Sequence, residues 1–215
     1  MYTKHHTRGI VLGKHDNGEA DRTYALLTPD LGKVYAQAHG IRNGHGRNKG
    51  ALQTLSIASV SLVRGKTGWK ITNASSEHSF YTKLASDPSS PVGSRFDARR
   101  ANAAGKAKLA VLVRVLKLVR RMLAGEGNAQ GVFIAVESFA DVLCTSELLF
   151  KDVRTLELLT VVRILHMLGY VKDDERLDQF FKDPADVSTE TRSAFAPHEH
   201  LALTVVNEAL SASQL

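Results

Sequence analysis

Cysteine is almost missing from this chain of 215 residues: Cys144 stands alone. One thiol excludes an internal disulfide and any zinc site that draws two or more ligands from cysteine, and it suits a reducing compartment. Proline is scarce, with five in all, and two of these fall within Ala85 to Ser94 (ASDPSSPVGS), which marks an exposed linker. Aromatic residues make up 7% of the chain and there is one tryptophan, Trp69. Long apolar runs are missing too. Leu109 to Leu123 is broken by Arg114, Lys117, Arg120 and Arg121, which excludes a membrane span there. The opening MYTKHHTRGIVLGKHD has only a few apolar residues before Lys14, too few for a signal-peptide core, so a cytoplasmic protein is expected. Neither GxGxxG nor GxxxxGK[ST] occurs, which leaves an ATPase or dehydrogenase without its phosphate cradle. His198-Glu199-His200 is not HExxH, and the adjacent His5 and His6 point to opposite faces of a strand; neither pair is set up as a metal site.

What is present is apolar mass and unevenly placed charge. A hydrophobic fraction of 43% is enough to fill real cores. The net charge of +6 hides a division: residues 1–84 carry +7, residues 95–121 carry +8 and residues 122–215 carry −8. A basic front joined to an acidic rear is the pattern of a polyanion-binding part attached to a part with another task.

The first eighty residues read as strands. Thr7 to Leu12, Thr23 to Thr28, Lys33 to His39, Leu52 to Val63 and Trp69 to Ala74 alternate or are β-rich, and short turns such as Pro29-Asp30-Leu31-Gly32 separate them. Five strands in that length predict a small barrel. Beyond the linker the period becomes helical. In Ala104 to Leu123 the residues Leu112, Val115, Leu116, Leu118, Val119, Met122 and Leu123 fill one side, and Lys106, Arg114, Lys117, Arg120 and Arg121 the other. Gly131 to Leu149 predicts a second helix, Asp152 an N-cap for a third that stops at Gly169, and Pro197 to about Leu210 a last one; Val171 to Asp186 reads as irregular.

The segment Gly40 to Gly50 (GIRNGHGRNKG) can bury almost nothing, yet it carries Arg42, Arg47 and Lys49. Glycines let backbone N–H groups approach phosphates, and the cations reach them. With Lys33, Arg64, Lys66 and Lys70 on the same half, these residues form the candidate nucleic-acid contact. Trp69 can stack on a base or pack inward, and both readings stay open. RNA carries the same phosphates as DNA, so an RNA-binding or ribosome-associated barrel is the first rival. A divalent-ion nuclease built on Asp16, Glu19 and Asp21 is the second, although Asn17-Gly18 also reads as a simple turn between solvated acids. His166 reads as a helix-boundary histidine and Cys144 as a small buried hydrophobe.

Gly18-Glu19-Ala20-Asp21-Arg22, Leu27-Thr28-Pro29, Gly32-Lys33, Gly40, Gly50-Ala51-Leu52-Gln53 and Arg64-Gly65 together resemble the opening of the RecO family of DNA repair and recombination mediators. A weaker similarity runs through RTLELLTVVRILHMLGY, Arg154 to Tyr170. The resemblance implies an α+β protein with an N-terminal OB-fold barrel over residues 1–80 and an all-α helical domain over residues 81–215. It implies binding of single- and double-stranded DNA, annealing of strands coated by single-stranded DNA-binding protein (SSB), and loading of the RecA recombinase together with RecR, with no covalent chemistry and no cofactor. It also implies a basic-rimmed pocket for the acidic tail of SSB on the helical domain. Arg154 lies in that region, with Arg114, Lys117 and Arg121 as neighbours. Many members carry a four-cysteine zinc module after the Leu-Gly-Tyr helix. Val171 to Asp186 stands in that place without a cysteine, so no zinc is expected.

Overall fold

The computed structural model describes residues 3–41, 48, 50–85, 95–145 and 147–213, with residue 85 and residues 95–103 described by their backbone only. The chain divides into two compact units. The first joins Met1–Lys83 to Leu123–Phe133, and the second joins Leu84–Met122 to Ile134–Leu215.

The first unit holds β1 (Lys4–Asn17), β2 (Asp21–Thr28), β3 (Gly32–Ala38), β4 (Ser56–Gly65) and β5 (Gly68–Ser79). They close into a barrel in the order β1-β2-β3-β5-β4, with β1 pairing β2 on one side and β4 on the other. All pairs are antiparallel except β3 with β5, a parallel seam of Ala36 with Trp69 and Gln37 with Lys70. This is the five-stranded OB topology that the alternating patterns and the family resemblance predict. A register shift between Val11 and Gly13 bends β1, which lets one strand serve both edges. Val11, Tyr24, Leu26, Val34, Ala36, Val60, Leu62 and Ile71 fill the interior.

Two features depart from the expected strands. β4 begins at Ser56 rather than Leu52, because the N–H groups of Ala51 and Leu52 both donate to the Asn48 carbonyl at 3.2 Å and Leu55 takes a left-handed φ of 65°. Leu52 is still buried in the barrel, so its apolar character reflects burial rather than strand. The second departure is the return of residues 123–133 to the barrel. Gly127 N–H donates to Leu31 O at 3.1 Å, Lys33 N–H to Gly125 O at 2.9 Å and Ala129 N–H to Pro29 O at 2.9 Å. Gly32, at φ 66°, makes room for this: a Cβ there would lie 2.7 Å from the carbonyl oxygens of both Gly125 and Gly127.

The second unit holds most of the helices: α1 (Phe80–Ala85) and α3 (Gln130–Thr145), which both begin in the first unit, and α2 (Arg95–Met122), α4 (Phe150–Met167), α5 (Thr189–Phe195) and α6 (Glu199–Ala212). Val111, Leu112, Val115, Leu116, Val119 and Met122 of α2 are buried, and the basic stripe is exposed, as the helical period predicts. α3 ends at Thr145, four residues short of the expected Leu149. The N-cap of α4 is Leu149 rather than Asp152, which sits in the first turn instead. A carboxylate there faces the unpaired N–H groups of the helix start without being the cap. Gly169, φ 78°, closes α4 as expected, with its N–H on His166 O at 2.9 Å and the Tyr170 N–H on Leu165 O at 2.9 Å. α6 starts at Glu199 after a 3-10 turn over Ala196–His198, two residues later than Pro197 suggests. α5 was not expected; Ser188 caps it by accepting from the Thr191 N–H at 3.2 Å.

Candidate nucleic-acid interface

Period two decides which side chains the barrel wall shows. Val34, Ala36 and Ala38 point into the core, so Lys33, Tyr35 and Gln37 stand outside on β3. Tyr35 is 52% exposed. Its register partner on β2 is Ala25, and Gln37 lies opposite Thr23 and beside Lys70 of β5. An exposed aromatic flanked by amide, hydroxyl and ammonium groups offers a base a stacking platform and its backbone polar contacts. In OB barrels this face and the β1–β2 and β4–β5 loops take oligonucleotides.

Lys66 and Lys70 stand at the β4–β5 hairpin around a hollow of about 430 Å³ that Val63, Gly65 and Thr67 complete. Among the described residues neither lysine has a carboxylate at ion-pair distance. Arg64 differs. Its Nη1 lies 2.6 Å from Glu126 Oε2, and its guanidinium packs 5.3 Å from the Trp69 ring centroid. Glu126 also accepts from Trp69 Nε1 at 3.0 Å, and Trp69 is 6% exposed inside the barrel. Of the two readings of Trp69, the inward one holds, and Arg64 arrives partly neutralised. Lys33 is half-buried, with its backbone tied to Gly125. Arg42, Arg47 and Lys49 lie outside the described residues.

The base of their segment is fastened. Asp21 accepts from the Gly40 N–H at 2.9 Å, sits 2.7 Å from His39 Nδ1 and accepts from Gln37 Nε2 at 3.2 Å. The Gly40 amide first, then His39, holds its carboxyl below the usual aspartate value. Asp16 is engaged by Arg22, whose guanidinium that bond shifts upward, and Glu19 is exposed in the β1–β2 turn. The three acids of the nuclease reading are thus a strand lock, an ion pair and a solvated side chain. Among the described residues no three His, Cys, Asp or Glu are grouped to hold a metal ion.

The other singled-out side chains pack locally. His5 meets Trp69 edge-on at 5.2 Å, and His166 stacks on Phe181 at 4.0 Å with Asp173 2.8 Å from its Nε2. Cys144 is half-buried. In the second unit Arg114, Lys117 and Arg121 are exposed on one face of α2, and Arg154 is exposed on α4. Arg114 makes a bidentate pair with Glu157 of α4, 2.8 Å on each side, which raises its pKa and ties the two helices together. Among the described residues no helix is long and apolar enough to cross a membrane.

Reading the sequence by charge missed Tyr35, Thr23 and Gln37. The signal was available in Lys33-Val34-Tyr35-Ala36-Gln37-Ala38, whose small apolar alternate positions put the tyrosine outside.

Comparison with known proteins places the barrel. The family described as "Recombination protein O N terminal" matches residues 1–80. A DNA repair protein RecO of Dehalococcoides mccartyi (strain CBDB1) is 41% identical over 74 residues, which are 34% of this chain and 29% of that protein. RecO proteins of Rubrobacter xylanophilus (40% over 74 residues, 34% of this chain and 30% of that protein) and Thermobifida fusca (35% over 79 residues, 37% and 32%) are similar over the same extent. The matched stretch thus spans less than a third of each of these curated relatives. Over residues 1–80 the chain is thus similar to the N-terminal part of recombination protein O.

Proposed function

We propose that this chain is a non-catalytic DNA-binding mediator of repair and recombination, which holds single strands on the β2–β3–β5 wall and promotes their annealing. The observation that carries the reading is Tyr35, exposed between Lys33 and Gln37 on an OB barrel, with Lys70 of β5 beside Gln37. Lys33, Lys66, Lys70 and Arg64 supply charge, and Arg42, Arg47 and Lys49 of the glycine-rich segment extend it. Neutralising phosphates on two complementary strands lowers their repulsion, which lets a protein without an ATPase speed pairing. Double-stranded DNA engages the same cations through its phosphates.

On the helical unit Arg154, Lys117, Arg121 and Arg114 are the proposed contacts for the acidic tail of SSB. Phe150, 79% exposed and one helical turn before Arg154, adds the apolar contact, while the pairing of Arg114 with Glu157 weakens its share. RecR and RecA loading complete the proposed role, and the cytoplasm is its proposed site.

The test is a titration of a labelled oligonucleotide at several salt concentrations. With four to six phosphates neutralised, log K falls against log salt with a slope of about −3 to −4 for single strands. Tyr35→Ala weakens binding by about 1–3 kcal/mol without changing the slope, because stacking is not ionic. Salt-indifferent binding, or full affinity in Tyr35→Ala, defeats the reading. Competition between RNA and DNA strands of one sequence separates the RNA-binding rival.

A further inference from the structure

We infer that the strand track does not end at the β2–β3–β5 wall but continues around the barrel into a polar groove on β5, β4 and β1, where it takes the sugar–phosphate backbone of the same strand. The inference rests on the function proposed above.

The continuity is written in the register. His15 lies opposite Thr23, Thr23 opposite Gln37, Gln37 beside Lys70, Lys70 opposite Val63, and Val63 opposite Lys4. These residues form one belt around the barrel wall, and β1 appears in it twice because the sheet closes. Lys70 is the shared point: it lines the hairpin hollow and joins the Tyr35 wall to Val63 and Lys4. The next rows of the same outer face are His6, Ser61 and Asn73, then Arg8, Ser59 and Ser75. Together with Lys4 they line a groove of about 460 Å³.

The lining identifies the occupant. Protein interfaces bury apolar and aromatic anchors at their centre, whereas here the outward side chains are hydroxyl, amide, imidazole, ammonium and guanidinium groups. That set makes the sequence-independent contacts to phosphate and sugar. Ser61 Oγ lies 2.8 Å from His6 Nδ1, so that with Ser61 donating, Nε2 is the protonated nitrogen and is left for an oxygen of the ligand. Two carboxylates meet residues of the groove: Glu77 is matched by Arg8 at 2.9 Å and by Ser59, and Asp30 accepts from Thr7 Oγ1. The groove therefore presents Lys4 and neutral donors to a strand rather than a net repulsion. A path across β2, β3, β5, β4 and β1 crosses four interstrand gaps of about 4.8 Å each, roughly 19 Å in all; at about 3.4 Å per stacked nucleotide that is a footprint of about 6 nucleotides, in the lower part of the range of about 4 to 16 that OB folds cover.

The experiment measures affinity of the full chain for oligothymidylates of about 2 to 12 nucleotides at low salt, a length range that brackets this footprint. Affinity is expected to rise until about 6 nucleotides. In the triple variant Lys4→Glu, Asn73→Asp, Ser75→Asp the rise stops at about 3, the length that the two gaps of the β2–β3–β5 wall span: the 12-mer binds at least about tenfold more weakly than to the unaltered chain, and the 3-mer within about twofold. All three side chains are exposed, and circular dichroism checks the fold. Independently, Ser75→Cys in a Cys144→Ser background, carrying a photo-crosslinker, is expected to couple to the 12-mer. An unchanged length dependence, or no crosslink, overturns the extended track. If the 3-mer binds normally in that case, the proposed function stands; if the unaltered chain binds neither length, both fall.

Discussion

Replacing Gly32 by alanine tests how the barrel is sealed. The new Cβ would sit 2.7 Å from Gly125 O, 2.7 Å from Gly127 O and 2.9 Å from Gly127 N, all backbone atoms that cannot rotate away. Three contributions set the cost. Holding alanine at φ 66° costs about 1–2 kcal/mol. Relieving the clash moves residues 125–127 away and breaks the Lys33–Gly125 and Gly127–Leu31 hydrogen bonds, about 1 kcal/mol each. A stiffer unfolded chain returns about 0.4–1 kcal/mol. The net loss is about 2–3.5 kcal/mol, which at a urea slope of about 1.5 kcal/mol/M lowers the midpoint by roughly 1.3–2.3 M. Trp69 is the only tryptophan and its Nε1 is bonded to Glu126, so its fluorescence reports this unit and this segment. Gly18→Ala is the control: the same left-handed backbone, φ 65°, with nothing within 4 Å of the new Cβ, and so an expected cost of about 1 kcal/mol. A Gly32→Ala midpoint no lower than that of Gly18→Ala would refute the packing of residues 125–127 on the β2–β3 turn.

Two further predictions concern the stretch after α4. Arg163 is buried, donates from Nε to Phe180 O and from Nη1 to Asp186 O at 2.6 Å, and burial pushes its pKa down. Arg163→Met leaves one buried and one part-buried carbonyl without their donor and costs about 2–4 kcal/mol by chemical denaturation followed by circular dichroism; a cost below about 0.5 kcal/mol contradicts this. Asp174, bonded to the Arg176 side chain and then to its backbone N–H, has its pKa lowered to about 2. A depressed folded value means that the clasp's contribution is complete above the ordinary aspartate range and is lost as pH falls from about 4 through about 2. Carboxyl NMR titration of Asp174 should therefore give a midpoint well below 3.8, and Arg176→Ala should raise it only part of the way back, because the backbone N–H of residue 176 still donates; a midpoint near 3.8 in the unaltered chain removes the clasp.

Much of the architecture follows from local period. Lys33-Val34-Tyr35-Ala36-Gln37 announces an exposed and a buried side, and Val111 to Met122 announces a helix with one apolar face, because each residue's neighbours at two or at three and four positions decide its burial. What local period cannot state is a contact set by distant register. Glu126 looks like one acid in a glycine-rich turn, yet it meets both Arg64 and Trp69. Arg163 reads as a charge on a helix that is otherwise apolar, and only the return of Phe180 and Asp186 over it explains its burial. Leu52 and Leu55 are buried outside any strand, which an apolar residue in an alternating run does not distinguish from strand. At the candidate site, charge counting puts Arg64 with Lys66 and Lys70, and it cannot see that Arg64 is neutralised by a partner 62 positions away. It passed over Tyr35, which has no charge.

The attachment of residues 123–133 to the barrel bears on how the chain is made. When residue 83 leaves the ribosome all five strands have been synthesised, but Arg64 and the Trp69 indole still lack Glu126, and the β2–β3 turn lacks its cover. About forty more residues must be added first, a wait of roughly 2–8 seconds at ordinary elongation rates. During that interval the nascent barrel is open at one corner. A fragment ended at residue 80 would keep that corner open permanently.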